Sequence, residues 1–352
     1  MELPLPDFFA PVHAEDFGFD PDPAEVRDAA RAWARAHRLR PASHDSERTL
    51  LLLVDLQKDF CFPEGALYVA GRSGRGALDD IRRVASFLYR NLHRVTATLA
   101  TLDSHLPHHV FSPSFWIDRA GESLTPHRTV RAAEIRAGEV RPRPELAPWV
   151  AAGDYDWLWR QTLHYCEELE RRGRYALYLW PPHCLVGSPG HALAGVVQEA
   201  RLFHAYARGA EAGVEIKGLA LLTEHYSVLE PEITTAHDGT PLAARASGLA
   251  ERLVAADRLI IAGQASSHCV KNTLEDLLRW IEERDPGLAR KIYVLEDCMS
   301  PVVVRDPRAG GRLVADFTDE AQRALDRCRE AGMRVVSSTT PISEWAPLAA
   351  GS

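Results

Sequence analysis

A cysteine follows a strand-like apolar run in the last third of the chain. The run spans 259–262, and the segment Gly263-Gln-Ala-Ser-Ser-His-Cys269-Val270 comes directly after it. This order predicts a strand, a tight turn and the start of a helix, which places the Cys269 sulfur beside free backbone N–H groups. Such groups lower the pKa of a thiol and can hold an oxyanion. We therefore expect Cys269 to be a low-pKa nucleophile that reacts faster than the other five cysteines.

Two further chemical groups stand where predicted strands end. Asp55 follows the apolar run 50–54, and Lys217, one of only four lysines in the chain, follows the run 214–216. A carboxylate near a thiol can accept its proton, and an ammonium favours the ionised form of both groups. A structural role is the alternative for each: Asp55 as a turn or helix cap, and Lys217 as a solvated strand end.

A cluster of acid and histidine side chains indicates a metal site. Asp103, His105 and His109 come at the end of another predicted strand, where alternate residues project to the same side. His183 follows two prolines and can supply a further ligand. Mixed carboxylate and imidazole ligands suit zinc, manganese or iron. The neighbouring Cys184 keeps a structural zinc site open as an alternative.

Apolar runs alternate with amphipathic helices from residue 49 onward. This order predicts an α/β fold with a mainly parallel, doubly wound sheet that is covered on both faces. Ligands of such folds bind at the carboxyl ends of the strands, so the residues above should meet at one edge of the sheet. Strands are predicted at 50–54, 95–102, 175–179, 214–216, 259–262, 292–295 and 335–338, and helices near 77–92, 191–207, 270–283 and 318–330.

Two segments stand outside this alternation. Residues 1–48 are predicted to form an N-terminal extension with one helix, which begins at the N-cap residue Asp22 and runs to about Leu39. Residues 116–174 are predicted to be an insertion, with a hairpin over 129–141 and a helix over 155–172. The extension thus precedes one α/β domain, and the insertion interrupts it.

Composition excludes several classes of function. The chain has 352 residues and a formal net charge of −8, without a basic cluster that would bind nucleic acid. No window approaches the roughly 18 to 20 apolar residues of a membrane span, and the amino end lacks the features of an export signal. Six scattered cysteines fit a reducing compartment better than a disulfide framework. We expect a cytoplasmic protein that binds neither nucleic acid nor membranes.

Together these motifs resemble the isochorismatase-like cysteine hydrolases, specifically the nicotinamidase/pyrazinamidase branch. The motifs occur in the order of that family and cover residues 49 to about 340. The resemblance implies a three-layer α/β/α hydrolase domain over 49–345, interrupted by the insertion 116–174. The matching segments are Val-Asp55-Leu-Gln-Lys-Asp-Phe60, the Asp103/His105/His109 cluster, Trp180-Pro-Pro-His183-Cys, Lys217-Gly and Gly263-Gln-Ala-Ser-Ser-His-Cys269-Val.

The same resemblance implies roles for particular residues. Cys269, Asp55 and Lys217 would form a catalytic triad. A cis peptide would join Gln264 to Ala265, and this segment together with Cys269 would supply the oxyanion N–H groups. A divalent metal, with zinc expected before manganese or iron, would be held by Asp103, His105 and His183, with His109 as a further ligand. Phe60 and Trp180 would enclose the substrate ring.

The implied reaction is hydrolysis of nicotinamide, or a related aromatic carboxamide, to the acid and ammonia through a thioester. The partners expected are a small-molecule amide and further copies of the chain in a homo-oligomer. Gln264 departs from the family, which commonly has an apolar residue at that position. The alternatives are a member of the family acting on another amide or ureido compound, an isochorismatase-type vinyl-ether hydrolase, and a catalytically silent binding module of this fold.

Overall fold

The computed structural model describes residues 2–173, 175–306 and 310–345. The strands are β1 (Thr49–Val54), β2 (Ala97–Asp103), β3 (Trp116–Asp118), β4 (Thr129–Val130), β5 (Val140–Pro142), β6 (Leu177–Tyr178), β7 (Glu211–Lys217), β8 (Arg258–Gly263), β9 (Ile292–Leu295), β10 (Val303–Asp306), β11 (Arg312–Asp316) and β12 (Arg334–Val336). The α-helices are α1 (Pro23–Ala36), α2 (Lys58–Cys61), α3 (Gly76–Arg90), α4 (Ala132–Arg136), α5 (Ala147–Val150), α6 (Tyr155–Arg172), α7 (Gly195–Arg208), α8 (Ser247–Val254), α9 (Cys269–Glu282) and α10 (Thr318–Glu330).

The central sheet has the order β12-β9-β8-β1-β2-β7, and each pair of neighbouring strands is parallel. The chain builds from β1 outward to β2 and β7, and it then returns to the other side of β1 for β8, β9 and β12. This reversal makes the sheet doubly wound, and it places the switch point between β1 and β8. The predicted α/β fold class is therefore confirmed.

Strand β1 shows how the sheet divides the core into two layers. All six of its residues are buried. Leu51 and Leu53 pack in the cluster formed with α1, α3 and α7, whereas Leu50, Leu52 and Val54 pack in the cluster formed with α8, α9 and α10. Alternate residues of a strand point to opposite faces, so a continuous apolar run requires helices on both faces. Burial of each such side chain is worth about 1.5–3 kcal/mol.

The helix of the predicted N-terminal extension packs on the central α/β layers. Helix α1 begins where the Asp22 carboxylate accepts hydrogen bonds from two N–H groups of the first turn. Val26 and Ala30 are fully buried, and the helix packs against α7. It ends at Ala36, earlier than predicted, because Arg38 has a left-handed backbone with φ of 51°.

The predicted insertion contains the predicted helix but lacks the predicted hairpin. Helix α6 ends at Arg172, where Gly173 takes a left-handed backbone. Between β4 and β5 lies the short helix α4 instead of a turn, since the Glu134 carboxylate caps the Arg131 N–H. Strand β4 pairs with β6, and β5 pairs with β3, both antiparallel. Arg174, the last residue of this predicted segment, lies outside the described residues.

The predicted strand 175–179 is wrong as a member of the central sheet. Only Leu177 and Tyr178 form a strand, and their partner is β4. The edge position beside β2 is taken by β7, which leaves Val214 and Ile216 about half exposed.

No helix of the described ranges is both long enough and apolar enough to cross a membrane. The division into extension, domain and insertion stays a prediction, as does the homo-oligomer.

Candidate active site

Four predicted site residues stand at the carboxyl edge of the central sheet. Asp55 follows β1, Asp103 and Lys217 end β2 and β7, and Cys269 begins α9 after the turn that follows β8. Asp103 and Lys217 are direct neighbours in the register of β2 and β7. One carboxylate oxygen of Asp55, one of Asp103 and the Cys269 sulfur lie within 4.8 Å of one another. The fold thus brings these segments into one cluster.

The Lys217 ammonium lies at the centre of this cluster. Its Nζ is 3.0 Å from Oδ2 of Asp55, 2.9 Å from Oδ1 of Asp103 and 3.7 Å from Sγ of Cys269. It also donates a 2.9 Å hydrogen bond to the carbonyl oxygen of His225. The side chain is buried, so these contacts replace its hydration. Lys217 is therefore not a solvated strand end.

Burial sets the protonation of the resting cluster. It raises the pKa of the Cys269 thiol well above the usual value, with Lys217 opposing this and Asp55 and Asp103 adding to it. Burial likewise raises the pKa of Asp55, although Lys217 opposes the rise. Burial alone would lower the pKa of Lys217, but Asp103 and Asp55 raise it well above its usual range. The sequence analysis expects a lowered pKa for this thiol, whereas its burial in the folded protein raises it.

Two glycines allow the strands to come this close. Gly263 has a φ of 137°, and a Cβ there would lie 2.1 Å from the carbonyl oxygen of Val54. Gly218 has a φ of 91°, and a Cβ there would lie 2.8 Å from Oδ1 of Asp103. Any side chain at either position would force apart the strands that carry the cluster.

Two backbone N–H groups where α9 begins are available to bind a ligand. The peptide between Gln264 and Ala265 is cis. The N–H groups of Ala265 and Cys269 donate no hydrogen bond within the described residues, whereas the Gln264 N–H donates to the carbonyl oxygen of Val54. Free N–H groups beside a nucleophile can hold an oxyanion. Ala265 and Cys269, and not Gln264, offer such groups.

The side chain of Gln264 has a partner that explains a polar residue at this buried position. Its amide donates a 2.8 Å hydrogen bond to Oδ2 of Asp80 on α3, and its carbonyl oxygen accepts from the N–H of Ser300 at 3.2 Å. Burial raises the pKa of Asp80 to about 6. Since an apolar residue could not satisfy this carboxylate, Gln264 and Asp80 form a matched pair.

The ligand atoms of Asp103, His105 and His183 also lie within 4.8 Å of one another, and all three residues are buried. Nδ1 of His105 is 3.0 Å from the carbonyl oxygen of His183, and Nδ1 of His183 is 2.8 Å from that of Pro181. Because carbonyl oxygens only accept, each Nδ1 carries a proton, and each ring turns its Nε2 toward Asp103.

The two Nε2 atoms lie near one carboxylate. Nε2 of His105 is 3.0 Å from Oδ1 of Asp103, and Nε2 of His183 is 4.0 Å from Oδ2. Burial lowers the pKa of His183 to about 4, so this imidazole is neutral at pH 7. One carboxylate and two imidazoles that converge in a buried site form a donor set that suits zinc, manganese or iron. The three residues therefore fit a divalent metal.

His109 stands apart from this cluster of three. It is fully buried, and its ring stacks on Phe111 at 4.9 Å, with its centroid 5.1 Å from that of His105. Burial lowers its pKa to about 3.

Cys184, the possible thiolate of a structural zinc site, is buried, and burial raises its pKa well above the usual value. Its backbone N–H donates to the Asp59 carboxylate at 2.6 Å.

A narrow pocket of about 30 Å³ joins the Cys269 cluster to the histidine cluster. Phe60 and Trp180, which the family resemblance implies to be substrate-binding residues, both line it. Further lining side chains come from Leu67, Val69, Phe111, Glu224, His225, Tyr226, Ala265, His268 and Val302. Most of these side chains are apolar or aromatic, which favours a small flat substrate.

Sequence reasoning missed the residues that hold Trp180. Its indole N–H lies 3.0 Å from Oε1 of Glu224 and 2.9 Å from the hydroxyl of Tyr226. Burial raises the pKa of Glu224 to about 8, so this carboxyl is largely protonated at pH 7. Their position in the sequence could have indicated them, because Glu224 and Tyr226 lie on the loop that follows β7 and Lys217.

Comparison with known proteins adds a likeness of fold. No family model and no curated protein matches the sequence. Solved structures of similar fold include nicotinamidases and pyrazinamidases. The pyrazinamidase of Pyrococcus horikoshii in complex with zinc is 19% identical with a TM-score of 0.43, and the match covers 82% of this chain and 99% of that one. The yeast nicotinamidase bound to the inhibitor nicotinaldehyde is 16% identical with a TM-score of 0.49, and the match covers 82% of this chain and 99% of that one.

A nicotinamidase of Acinetobacter baumanii is 16% identical with a TM-score of 0.48, and the match covers 84% of this chain and 98% of that one. At this identity and these TM-scores the likeness carries no activity across, because one fold can host many functions. The chemistry of this chain has to be argued from its own side chains.

Proposed function

We propose that this protein is a cysteine amidohydrolase that converts nicotinamide, or a closely related aromatic carboxamide, to the carboxylic acid and ammonia. The observation that carries the proposal is the contact of one buried ammonium with three groups. Lys217 reaches the carboxylates of Asp55 and Asp103 and the sulfur of Cys269. A base and a nucleophile held by one cation can exchange a proton without leaving an unpaired buried charge.

The reaction begins with a neutral thiol. The Cys269 proton passes to Asp55 as the sulfur attacks the carboxamide carbon, and Lys217 stabilises the negative charge that moves between them. The N–H groups of Ala265 and Cys269 hold the oxyanion, and each such donor contributes about 3 to 4 kcal/mol to the lowering of the barrier. Asp55 returns the proton to the departing ammonia. Water then cleaves the thioester to the acid and restores the thiol.

Asp103, His105 and His183 would hold the divalent metal of this enzyme. A metal in this position would supply a Lewis acid that binds an electron-pair donor of the substrate, such as a ring nitrogen. The side chains of the pocket orient the rest of the substrate. Phe60 and Trp180 both line the pocket, and Glu224 and Tyr226 fix the indole.

An assay of ammonia release over a panel of amides tests the proposed function. The panel consists of nicotinamide, pyrazinamide, benzamide, a ureido compound and an aliphatic amide, each incubated with purified protein loaded with zinc, manganese or iron. We expect turnover of nicotinamide and pyrazinamide at least about 10-fold faster than of the aliphatic amide, since the pocket is lined with aromatic rings. Preference for the ureido compound would favour the alternative substrate class, and no turnover of any member would favour a silent binding module.

Metal content provides an independent prediction. Replacing His183 by Ala removes one of three converging donors, so we expect the metal bound after dialysis to fall at least about 10-fold. His191→Ala is a matched control, because that histidine hydrogen-bonds Ser104 and lies outside the cluster. The measurement is elemental analysis of both variants beside the unaltered protein. Equal metal content in all three would contradict the assigned ligands.

A further inference from the structure

A second cavity, of about 580 Å³, lies away from the Cys269 pocket near the exposed edge of the sheet. It is bounded by the extension, the end of β2, the segment before α7, helix α7 itself and strand β7. Its apolar lining comes from Phe17, Leu102, Pro189, Ala192, Leu193 and Val214. This volume is within the range of pockets that bind small molecules.

Two buried cations line this cavity. Lys58, one of the four lysines of the chain, has only 8% of its surface exposed, and Arg201 on α7 has 2%. The Lys58 ammonium donates one hydrogen bond, to the carbonyl oxygen of Phe19 at 3.2 Å, and lies over the ring of Phe17. Arg201 donates to the side chain of Gln198 at 2.9 Å and to the carbonyl oxygen of Gly213 at 2.7 Å.

Neither cation has a carboxylate partner within the described ranges. All the contacts above are to neutral groups, and Nε of Arg201 is buried without any hydrogen-bond partner there. Burial lowers the pKa of Arg201 to about 10, and no neighbouring acid offsets this. The lining also includes Asp20, but that side chain is exposed to solvent. Buried charges without counter-charge are costly, so these two cations favour an anion in the cavity.

We propose that this cavity binds a small organic anion with an apolar body, such as an aromatic carboxylate. The carboxylate meets Lys58 and Arg201, whose hydrogen bonds to a charged acceptor are stronger than those to neutral oxygens. The apolar body packs on Phe17, Leu193 and the exposed side chain of Val214. The site is distinct from the Cys269 pocket, since the two share no lining residue.

Calorimetric titration of the full chain with benzoate tests this site without depending on turnover. We expect Lys58→Met and Arg201→Met each to weaken benzoate binding at least about 10-fold. Val214→Glu places a repelling carboxylate at a position that is 47% exposed, so it should weaken binding without disturbing the core. Benzyl alcohol, a neutral molecule of similar size, should bind at least about 10-fold more weakly than benzoate.

Two control variants show whether benzoate binding depends on this cavity in particular. Arg252→Met removes an exposed cation that pairs with Glu211 and Glu215 of the same edge strand, and it should leave benzoate binding unchanged. His183→Ala alters the other pocket, and benzoate should still bind to the second cavity in this variant. Loss of benzoate binding in His183→Ala but not in Lys58→Met would overturn the proposal, as would the absence of binding by the unaltered protein or equal binding of benzyl alcohol. Circular dichroism verifies that each variant is folded.

Discussion

Replacing Cys269 by Ala is expected to reduce ammonia release from nicotinamide by about 10⁴-fold or more. Removal of a nucleophile that acts as one unit with its base abolishes the covalent route altogether. Cys269→Ser should also be nearly inactive, because a hydroxyl holds its proton more tightly than a thiol in the same buried setting. The measurement is kcat and KM from a continuous ammonia assay.

Cys328→Ala is the matched control for this substitution. Cys328 is equally buried but lies on α10, far along the chain from the turn that carries Cys269. We expect its kcat to stay within about 3-fold of the unaltered value, since surface and core changes away from a site act on stability and not on chemistry. Normal turnover by Cys269→Ala would refute the thioester route. It would leave the metal site as the alternative source of any activity.

Replacing Lys217 by Met is expected to lower the free energy of unfolding by about 3–5 kcal/mol. It should also abolish nearly all activity. The substitution leaves the buried carboxylates of Asp55 and Asp103 close together without their shared cation. Lys291→Met is the control: that lysine is part of neither cluster, so its effect should stay within about 0.5 kcal/mol. Urea denaturation at pH 7.5 measures both.

The pH dependence of this loss has a definite sign. In the unaltered protein the folded-state pKa of Asp55 is already raised by burial, and removal of Lys217 removes an influence that lowers it. A group whose folded pKa is raised contributes stability below its unfolded pKa and loses it as the pH rises through the folded value. The deficit of Lys217→Met should therefore shrink as the pH falls from 7.5 to 5.

Addition of Asp55→Asn to Lys217→Met extends this test. Because Asn is uncharged, the double variant should recover part of the lost stability at pH 7.5, and its stability should depend less on pH. A double variant that is less stable than Lys217→Met alone would contradict a dominant role of the ion pair. It would point to hydrogen bonding of Asp55 with Thr101 as the more important contact.

The segments that carry the candidate site residues could be identified from the sequence, because they follow the predicted strands. Continuous apolar runs require a sheet covered on both faces, and the carboxyl ends of parallel strands meet at one edge. Asp55, Asp103, Lys217 and Cys269 could be placed together on that ground alone. The sequence failed for Tyr178 and its neighbours, because a short apolar run does not reveal which strand it will pair with.

The protonation of the cluster could not be predicted in this way. A turn of small residues indicates free N–H groups beside Cys269, and that feature alone suggests a low pKa for the thiol. In the folded protein, burial of the sulfur raises this pKa instead, and two carboxylates at the ends of other strands add to the rise. Desolvation depends on every segment that packs over a group, and distant segments have no fixed offset in the sequence.

The amino-acid sequence by itself determined the layered α/β architecture and which strand ends carry acid, amine, imidazole and sulfur. Only the tertiary structure decided that Glu224 and Tyr226 fix Trp180 and that Gln264 pairs with a buried carboxylate. It also decided that Lys58 and Arg201 line one cavity, where neither has a carboxylate partner among the described residues. The difference has one physical cause. Periodic burial is a property of neighbouring residues, whereas the electrostatic setting of a buried group is the sum over all segments that surround it.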